Sequence, residues 1–344
     1  ASMVGDGGDD GAGTGLLSDL LRFVFDEGPN RKIIMVGDPA QLPPIGSQTS
    51  PALDQQYLQK YFRLYTSGDQ MKEVMRQAEF SEVLRYATEI REAMDADVTP
   101  NIEKVWGGEV EHVDNGHEAM EIYAGLFDSD DPDSVVFLTY SNKMAVDVNM
   151  AVRNLLFEPE EDLIVGEQLM VVKNNYAWGE KKFPFIANGE MGVVRHVLHE
   201  TLEEKYGFRW MDIVIEFQDL SDNPVEVECK VVLDLLADRK GQLNYSDMQN
   251  VIRERRMEMD TLPKTREKAV MRKDPYINAL QIKYGYAVTG HKAQGGQWRN
   301  VLIAFEPMYK GMSLKDYIRW TYTAVTRAED RLYVLGFPFS PKEF

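Results

Sequence analysis

Cysteine is almost absent. Cys229 stands alone among 344 residues, which excludes an internal disulfide and any Cys-rich zinc site and favours a reducing, cytoplasmic setting. No apolar run approaches the roughly eighteen residues that a bilayer span requires. The opening residues, Ala1-Ser2-Met3-Val4, lack a basic start followed by an apolar stretch, so neither a spanning helix nor a signal peptide is expected. Basic residues are in deficit: 38 Lys and Arg stand against 56 Asp and Glu, a formal net charge of -18. That balance argues against non-specific attraction to nucleic acid, but screening over about 8–10 Å leaves room for a local basic groove. Any nucleic-acid reading must therefore rest on motifs. No Gly-x-x-x-x-Gly-Lys-Ser/Thr string is present. The glycine-rich stretch Gly5–Gly15 has no lysine, and its aspartates would repel phosphate.

What is there is ordinary globular composition, long enough for two or three domains. After the Gly/Asp-rich loop, Leu16, Leu17, Leu20, Leu21 and Val24 recur at helical spacing, and Pro29-Asn30 closes that helix. Lys32–Val36 reads as a short buried strand that turns sharply at Gly37-Asp38-Pro39. Residues 70–95 read as helix. Ser134–Tyr140 is a second buried strand, followed by a helix over Asn142–Leu156 with Met144, Val148 and Val152 on one face. Strand then helix, repeated, predicts an α/β fold with a parallel sheet and flanking helices. Residues 163–236 change texture. They form short β segments separated by Asn174-Asn175, Asn188-Gly189 and Ser221-Asp222-Asn223-Pro224, which predicts a small barrel. A charged stretch follows, with Arg253, Arg255, Arg256, Lys264, Arg266, Lys268, Arg272 and Lys273; it lines a phosphate path or is a solvated helix face. The α/β texture returns at Ile282–Val288, Asn300–Phe305 and Arg331–Leu335. A β module inserted into an α/β domain is the layout expected.

Three strings carry chemistry. In GDPAQLPPIG (37–46) a rigid loop after a strand presents a carboxylate and an amide together. Gln41 can donate and accept, so it can orient a water or sense a terminal phosphate, and Asp38 can order a metal-bound water; a plain proline-stiffened loop is the alternative for Gly-Asp-Pro taken alone. In YAVTGHKAQGGQW (286–298) a strand runs into a turn that offers Thr, His, Lys and Gln from one edge. In YTAVTRAEDRL (322–332) Arg327 is a permanent cation able to stabilise phosphoryl charge, while Arg331 can pair with Glu329 or Asp330.

Together these strings resemble motifs III, V and VI of the RecD-like branch of superfamily 1 DNA helicases, in the right order. Glu73-Val74-Met75-Arg76-Gln77 resembles that family's motif IV. The resemblance runs from the first residue nearly to the last. It implies a RecA-like second motor domain of the P-loop NTPase type over 70–160 and 280–344, an SH3-like β-barrel inserted over 161–279, and the tail of a first RecA-like domain over 1–69. It assigns Gln41, Arg76 and Arg327 to catalysis at the terminal phosphate. Asp38, Gln294 and Gly295 join them around the nucleotide, and Thr289, His291 and Lys292 touch DNA phosphates. Lys173, Asn174 and Tyr176 on the insert would meet single-stranded DNA, with Tyr176 and Trp178 either stacking on bases or capping the barrel. Gly290 and Ala293 depart from the residues more usual in the family. The implied cofactors are ATP and Mg2+, with no metal held by this chain's own residues. The implied partners are single-stranded DNA and duplex ends, the motor half that carries the phosphate loop and the Asp-Glu pair, and nuclease or recombination subunits; no membrane is implied. Without that loop, the chain alone is expected to be an inactive part of an ATP-dependent helicase active in recombination and repair. A non-catalytic DNA-binding or regulatory module of helicase shape is the alternative. PAQLPPIG and the small insert speak against the opposite-polarity UvrD-like branch.

Overall fold

In the computed structural model, all residues are described except 7–14, 27, 29, 72–80, 97, 101–106, 180–182, 222, 240, 260–263, 307–312 and 337–344, and for Lys264, Thr265, Arg266 and Lys268 only the backbone is described. In chain order the regular elements are α1 (Leu16–Phe25), α2 (Gln55–Phe62), α3 (Glu82–Asp95), β1 (Val110–Val113), α4 (Gly116–Leu126), β2 (Val135–Thr139), α5 (Asn142–Phe157), β3 (Gln168–Val171), β4 (Met191–Lys205), β5 (Phe208–Gln218), β6 (Pro224–Val232), α6 (Tyr245–Glu258), α7 (Lys264–Met271), β7 (Ile282–Tyr284), β8 (Ala287–Thr289), β9 (Trp298–Ala304), α8 (Leu314–Val325) and β10 (Ala328–Leu335). Helix starts follow local chemistry. Asp54, Ser81, Asn115, Ser141, Asn244 and Ser313 each accept a backbone N–H of the first turn of the helix they open.

The chain divides into two compact units: residues 1–109, 307–326 and 339–344 in one, and 110–306 with 327–338 in the other. In the first, Leu17 and Leu21 of α1 pack with Ala52 and Leu58, and Ile33 and Met35 press against that cluster. The strand expected at Lys32–Val36 is instead an extended segment without strand pairing. Ile33 and Met35 turn inward while Ile34 and Val36 are exposed. A strand is defined by its ladder, and no neighbouring strand is offered to it among the described residues. The turn predicted after it is present, closed by Gln41 N–H donating to the Asp38 carbonyl at 3.2 Å. In the same unit α3 packs against α8. Tyr86 and Ile90 of α3 and Tyr317 and Trp320 of α8 are fully buried.

The second unit holds a five-stranded parallel sheet in the order β1-β10-β9-β2-β8. Its interior strand β2, Val-Val-Phe-Leu-Thr, is buried along its whole length, as a strand covered on both faces must be. Tyr123 of α4 stacks on Phe137 of β2 with ring centres 5.2 Å apart, and Val148 and Val152 of α5 join the same core. A second, antiparallel sheet runs β6-β5-β4-β3-β7. A parallel bridge between Val231 and Leu280, just before β7, links β6 to the approach of β7. Ile282–Tyr284, expected to open the return of the α/β texture, pairs antiparallel with β3 instead; the parallel sheet resumes at Ala287. No turn signal marked the β4–β5 hairpin, yet Tyr206 (φ 56°) and Gly207 (φ 82°) make a two-residue turn with both central residues left-handed, the geometry that matches strand twist.

The two sheets share one hydrophobic core, from Val135 and Phe137 through Leu169 and Val171 to Ile213 and Ile215. Inside the join, Arg153 of α5 donates to the Glu167 carboxylate and to the Glu161 carbonyl. Its guanidinium lies 4.8 Å from the Tyr284 ring centre. Among the described residues no helix is long and apolar enough to cross a membrane.

Candidate functional site

In the first unit, GDPAQLPPIG is a loop bonded at intervals to α8. The Tyr322 hydroxyl donates to Asp38 Oδ2 at 2.9 Å, the Leu42 N–H donates to Thr323 Oγ1 at 3.0 Å, and Arg319 Nη1 donates to the Gln48 carbonyl at 2.6 Å. Residues 38–48 and 319–323, nearly the full chain apart, thus form one strapped assembly. Asp38 is fully engaged. Its Oδ1 accepts from Arg91 Nη1 at 2.8 Å and from the Ala40 N–H at 2.9 Å, and the Arg91 guanidinium sits 5.7 Å from the Tyr322 ring centre. Burial acts to lower the Arg91 pKa, but Asp38 and Tyr322 outweigh it and hold it above its ordinary value. Burial first, and Asp38 second, push the Tyr322 hydroxyl up, so it remains a donor. Asp38 therefore anchors the loop through both carboxylate oxygens. Among the described residues no group of three or more His, Cys, Asp or Glu could hold a metal ion.

Gln41 is half-buried and lines a cavity of about 440 Å³ with Ser2, Asp38, Thr49, Gln55 and Arg319. Arg76 lies outside the described residues. Thr323 is the test of the strap: replacing it with valine keeps the shape but removes the hydroxyl that accepts from the buried Leu42 N–H. The expected cost is about 1–3 kcal/mol, read as a lower unfolding midpoint in urea, with Ser at the same position restoring most of it.

In the second unit, the turn after β8 carries Thr289, His291, Lys292, Gln294 and Gly295. Thr289 is buried at the strand end, its carbonyl accepting from Ala293 N–H at 2.9 Å. Gly295 adopts φ +94° with open space around its Cβ position, so conformation alone asks for glycine there. Burial holds the His291 imidazole below its ordinary pKa, which makes it a neutral hydrogen-bonding group at pH 7. Burial, and then Lys283, lower the Lys292 ammonium. Lys292 Nζ donates to Asn188 Oδ1, so the turn meets the hairpin loop of the antiparallel sheet. Arg327 is buried and donates from Nη1 to the Gly296 carbonyl at 2.9 Å, while its own carbonyl accepts from Trp298 N–H at 3.0 Å. The strings 286–298 and 322–332 therefore meet at Gly296–Arg327. Arg331 pairs with Glu111 of the adjacent strand β1 at 3.3 Å.

On the same hairpin loop, Asn175 accepts from the Ala177 and Trp178 N–H groups and donates to the Asn278 carbonyl. Asn174 accepts from the Asn188 N–H at 2.7 Å. Trp178 packs on the core and donates its indole N–H to Asn278, so it caps the sheet. Tyr176 does not: it is 73% exposed and stacks on Phe185, 43% exposed, with ring centres 5.7 Å apart. Lys173 is exposed beside them. Two arginines of the basic run are matched by acids. Arg255 pairs with Asp274 and Glu258, and Arg256 with Glu267 at 3.4 Å. Sequence reasoning missed Arg91, Arg319, Thr323, Phe185 and Asn188. Asn188 was visible only as a turn signal, and Phe185 sits in a Phe-Pro-Phe run without periodicity; the helix residues carry no local mark of a partner hundreds of residues away.

Residues 284–335 match the family model described as the UvrD-like helicase C-terminal domain. The ATP-dependent RecD2 DNA helicase of Deinococcus radiodurans is 37% identical over 57 residues, 17% of this chain and 8% of that protein. An uncharacterized protein of Methanocaldococcus jannaschii is 36% identical over 62 residues, 18% of this chain and 5% of that protein. The chain thus spans under a tenth of the length of these curated relatives in the matched region. Among solved structures, the Pif1 helicase from Bacteroides in complex with ADP-AlF3 and ssDNA aligns over 93% of this chain and 67% of that one, at 15% identity and a TM-score of 0.44. The C-terminal part of the chain is similar to the C-terminal part of superfamily 1 helicases.

Proposed function

We propose that this chain is the C-terminal portion of an ATP-dependent DNA helicase of the RecD-like branch. In this reading 70–160 and 280–344 supply a second RecA-like motor domain, 161–279 an SH3-like insert, and 1–69 the tail of a first motor domain. Single-stranded DNA follows the C-terminal edge of the parallel sheet, past Thr289, His291 and Lys292, onto the insert at Lys173, Asn174 and Tyr176. The observation that supports it is the contact between Lys292 and Asn188. It joins the turn within the helicase-like segment to the hairpin loop that presents the exposed Tyr176–Phe185 pair. Ligands of parallel α/β sheets sit beyond the strands' carboxyl ends, and a cation beside stacked aromatics is the combination that holds a single strand.

Gln41, Arg76 and Arg327 are assigned to the terminal phosphate of ATP, with Gln294 and Gly295 linking that site to the strand. ATP and Mg2+ are the cofactors of this reading, with Asp38 among the residues around the nucleotide. The chain by itself is expected to bind single-stranded DNA without appreciable ATP turnover. Fluorescence anisotropy with a labelled oligothymidylate, repeated over a range of salt concentrations, tests the reading. Lys292→Met should weaken binding and flatten the salt dependence by about 0.7, the slope contributed by one phosphate contact on a single strand. Binding that ignores Lys292, or robust ATPase from the chain alone, would overturn the assignment.

A further inference from the structure

Lys292 is a flexible cation held in place by a neutral group. It is half-buried, and its Nζ donates to Asn188 Oδ1. Among the described residues no carboxylate pairs with it, in a chain of 56 acids and 38 bases. A like charge stands nearby. Lys283 of β7, buried and anchored on the Asp238 carbonyl at 2.7 Å, acts after burial to lower the Lys292 pKa. The acceptor, by contrast, is rigid. The Asn188 backbone N–H donates to Asn174 Oδ1 at 2.7 Å, the Gly189 N–H donates to the Val171 carbonyl at 2.8 Å, and Asn175 and Ile186 exchange two backbone bonds of 2.8 Å. Asn174 Nδ2 in turn donates to the Tyr176 hydroxyl at 3.4 Å. One stiff loop therefore carries both the acceptor for Lys292 and the exposed ring of Tyr176.

We infer that Asn188 is a positioning residue for the single strand: it fixes the Lys292 ammonium in constant relation to Tyr176, ready for a backbone phosphate. The role rests on the proposed DNA track. An ammonium has three donors, so the bond to Asn188 leaves two for phosphate oxygens and none has to break on binding. A long lysine stem is costly to order, and ordering it beforehand removes that cost from the binding step. A carboxylate at 188 would hold the lysine too, but would cancel its charge; an amide oxygen holds it and leaves the charge to the phosphate.

Oligothymidylate anisotropy over a salt series, with the whole 344-residue chain, compares the native chain with Lys292→Met, Asn188→Ala and Asn188→Asp. Asn188 is exposed, its φ is not left-handed, and the N–H that Asn174 accepts is backbone, so alanine is accommodated. Asn188→Ala should weaken binding about two- to tenfold, the cost of ordering one long side chain, and leave the salt slope unchanged, because the phosphate contact is still made. Asn188→Asp should weaken binding further and flatten the slope by about 0.7, as Lys292→Met does. Proton–nitrogen spectra of the 15N-labelled chain supply a readout without DNA: the Asn188 side-chain amide, identified by its loss in Asn188→Ala, should shift in Lys292→Met. An unmoved amide, or native binding by Asn188→Ala where Lys292→Met weakens it, overturns the positioning role and leaves the DNA track standing. A flattened slope in Asn188→Ala overturns it as well, since Asn188 would then belong to the phosphate contact itself. If Lys292→Met also binds as the native chain does, the track fails and the role falls with it.

Discussion

Arg153→Ala is expected to destabilise the second unit by about 3–5 kcal/mol, the cost of leaving one member of a buried ion pair without its partner. Glu167 is fully buried, and its carboxylate accepts from Arg153 and from the Ile164 N–H at 2.9 Å. Burial is the largest influence on it and pushes its pKa above the ordinary carboxylate value, with Arg153 pulling the other way. The sign follows. A carboxyl whose folded pKa is raised binds its proton more tightly in the folded chain, so its contribution to stability is fully present below the unfolded pKa and is lost as pH rises through the folded one. Without Arg153 that folded pKa rises further. The Arg153→Ala deficit should therefore be greatest near neutral pH and shrink on acidification below the ordinary carboxylate range. Urea unfolding at a series of pH values, followed by the fluorescence of Trp210, buried in the same unit, reads it. Pairing Arg153→Met with Glu167→Gln should recover most of the loss, because no buried charge remains. A pH-independent deficit would mean that the arginine acts by packing on Tyr284 alone.

The second large effect concerns the exposed rings. Single alanine replacements of Tyr176 and Phe185 should each weaken oligothymidylate binding by the loss of one stacking face, about 1–3 kcal/mol per base. The double replacement should lose less than the sum, because the two rings already stack on each other and act as a unit. Circular dichroism should be unchanged, since Tyr176 is mostly solvent-exposed. Leucine at both positions separates stacking from apolar area: if leucine binds as well as the aromatic pair, bases do not stack there. An effect confined to Tyr176 would place the strand on one ring and make Phe185 its support.

Much of the fold was legible where the signal was local. β2 announced itself as an unbroken apolar run, and α5 by Val148 and Val152 one turn apart. The antiparallel module showed in its close-set turns. Lys32–Val36 misled, because apolar content says a segment wants burial but not whether a ladder exists to receive it. Ile282–Tyr284 was assigned to the wrong sheet for the related reason that so short a buried segment fits either. The site was legible as strings but not as an assembly. That Asp38 bonds Arg91 and Tyr322, and that Arg327 donates to the Gly296 carbonyl, shows only in three dimensions.

By itself the sequence determined composition, the absence of disulfides, the periodic elements, the caps that start the helices, and which strings carry helicase-like chemistry, because each of these is set by neighbours along the chain. Which side chains are already spoken for was decided only in three dimensions. A carboxylate or guanidinium has the same intrinsic appetite everywhere, and whether it is spent on the fold or kept for a ligand depends on partners brought from far along the chain. Arg153 and Glu167 hold each other inside the fold, and Asp38 is held by Arg91 and Tyr322.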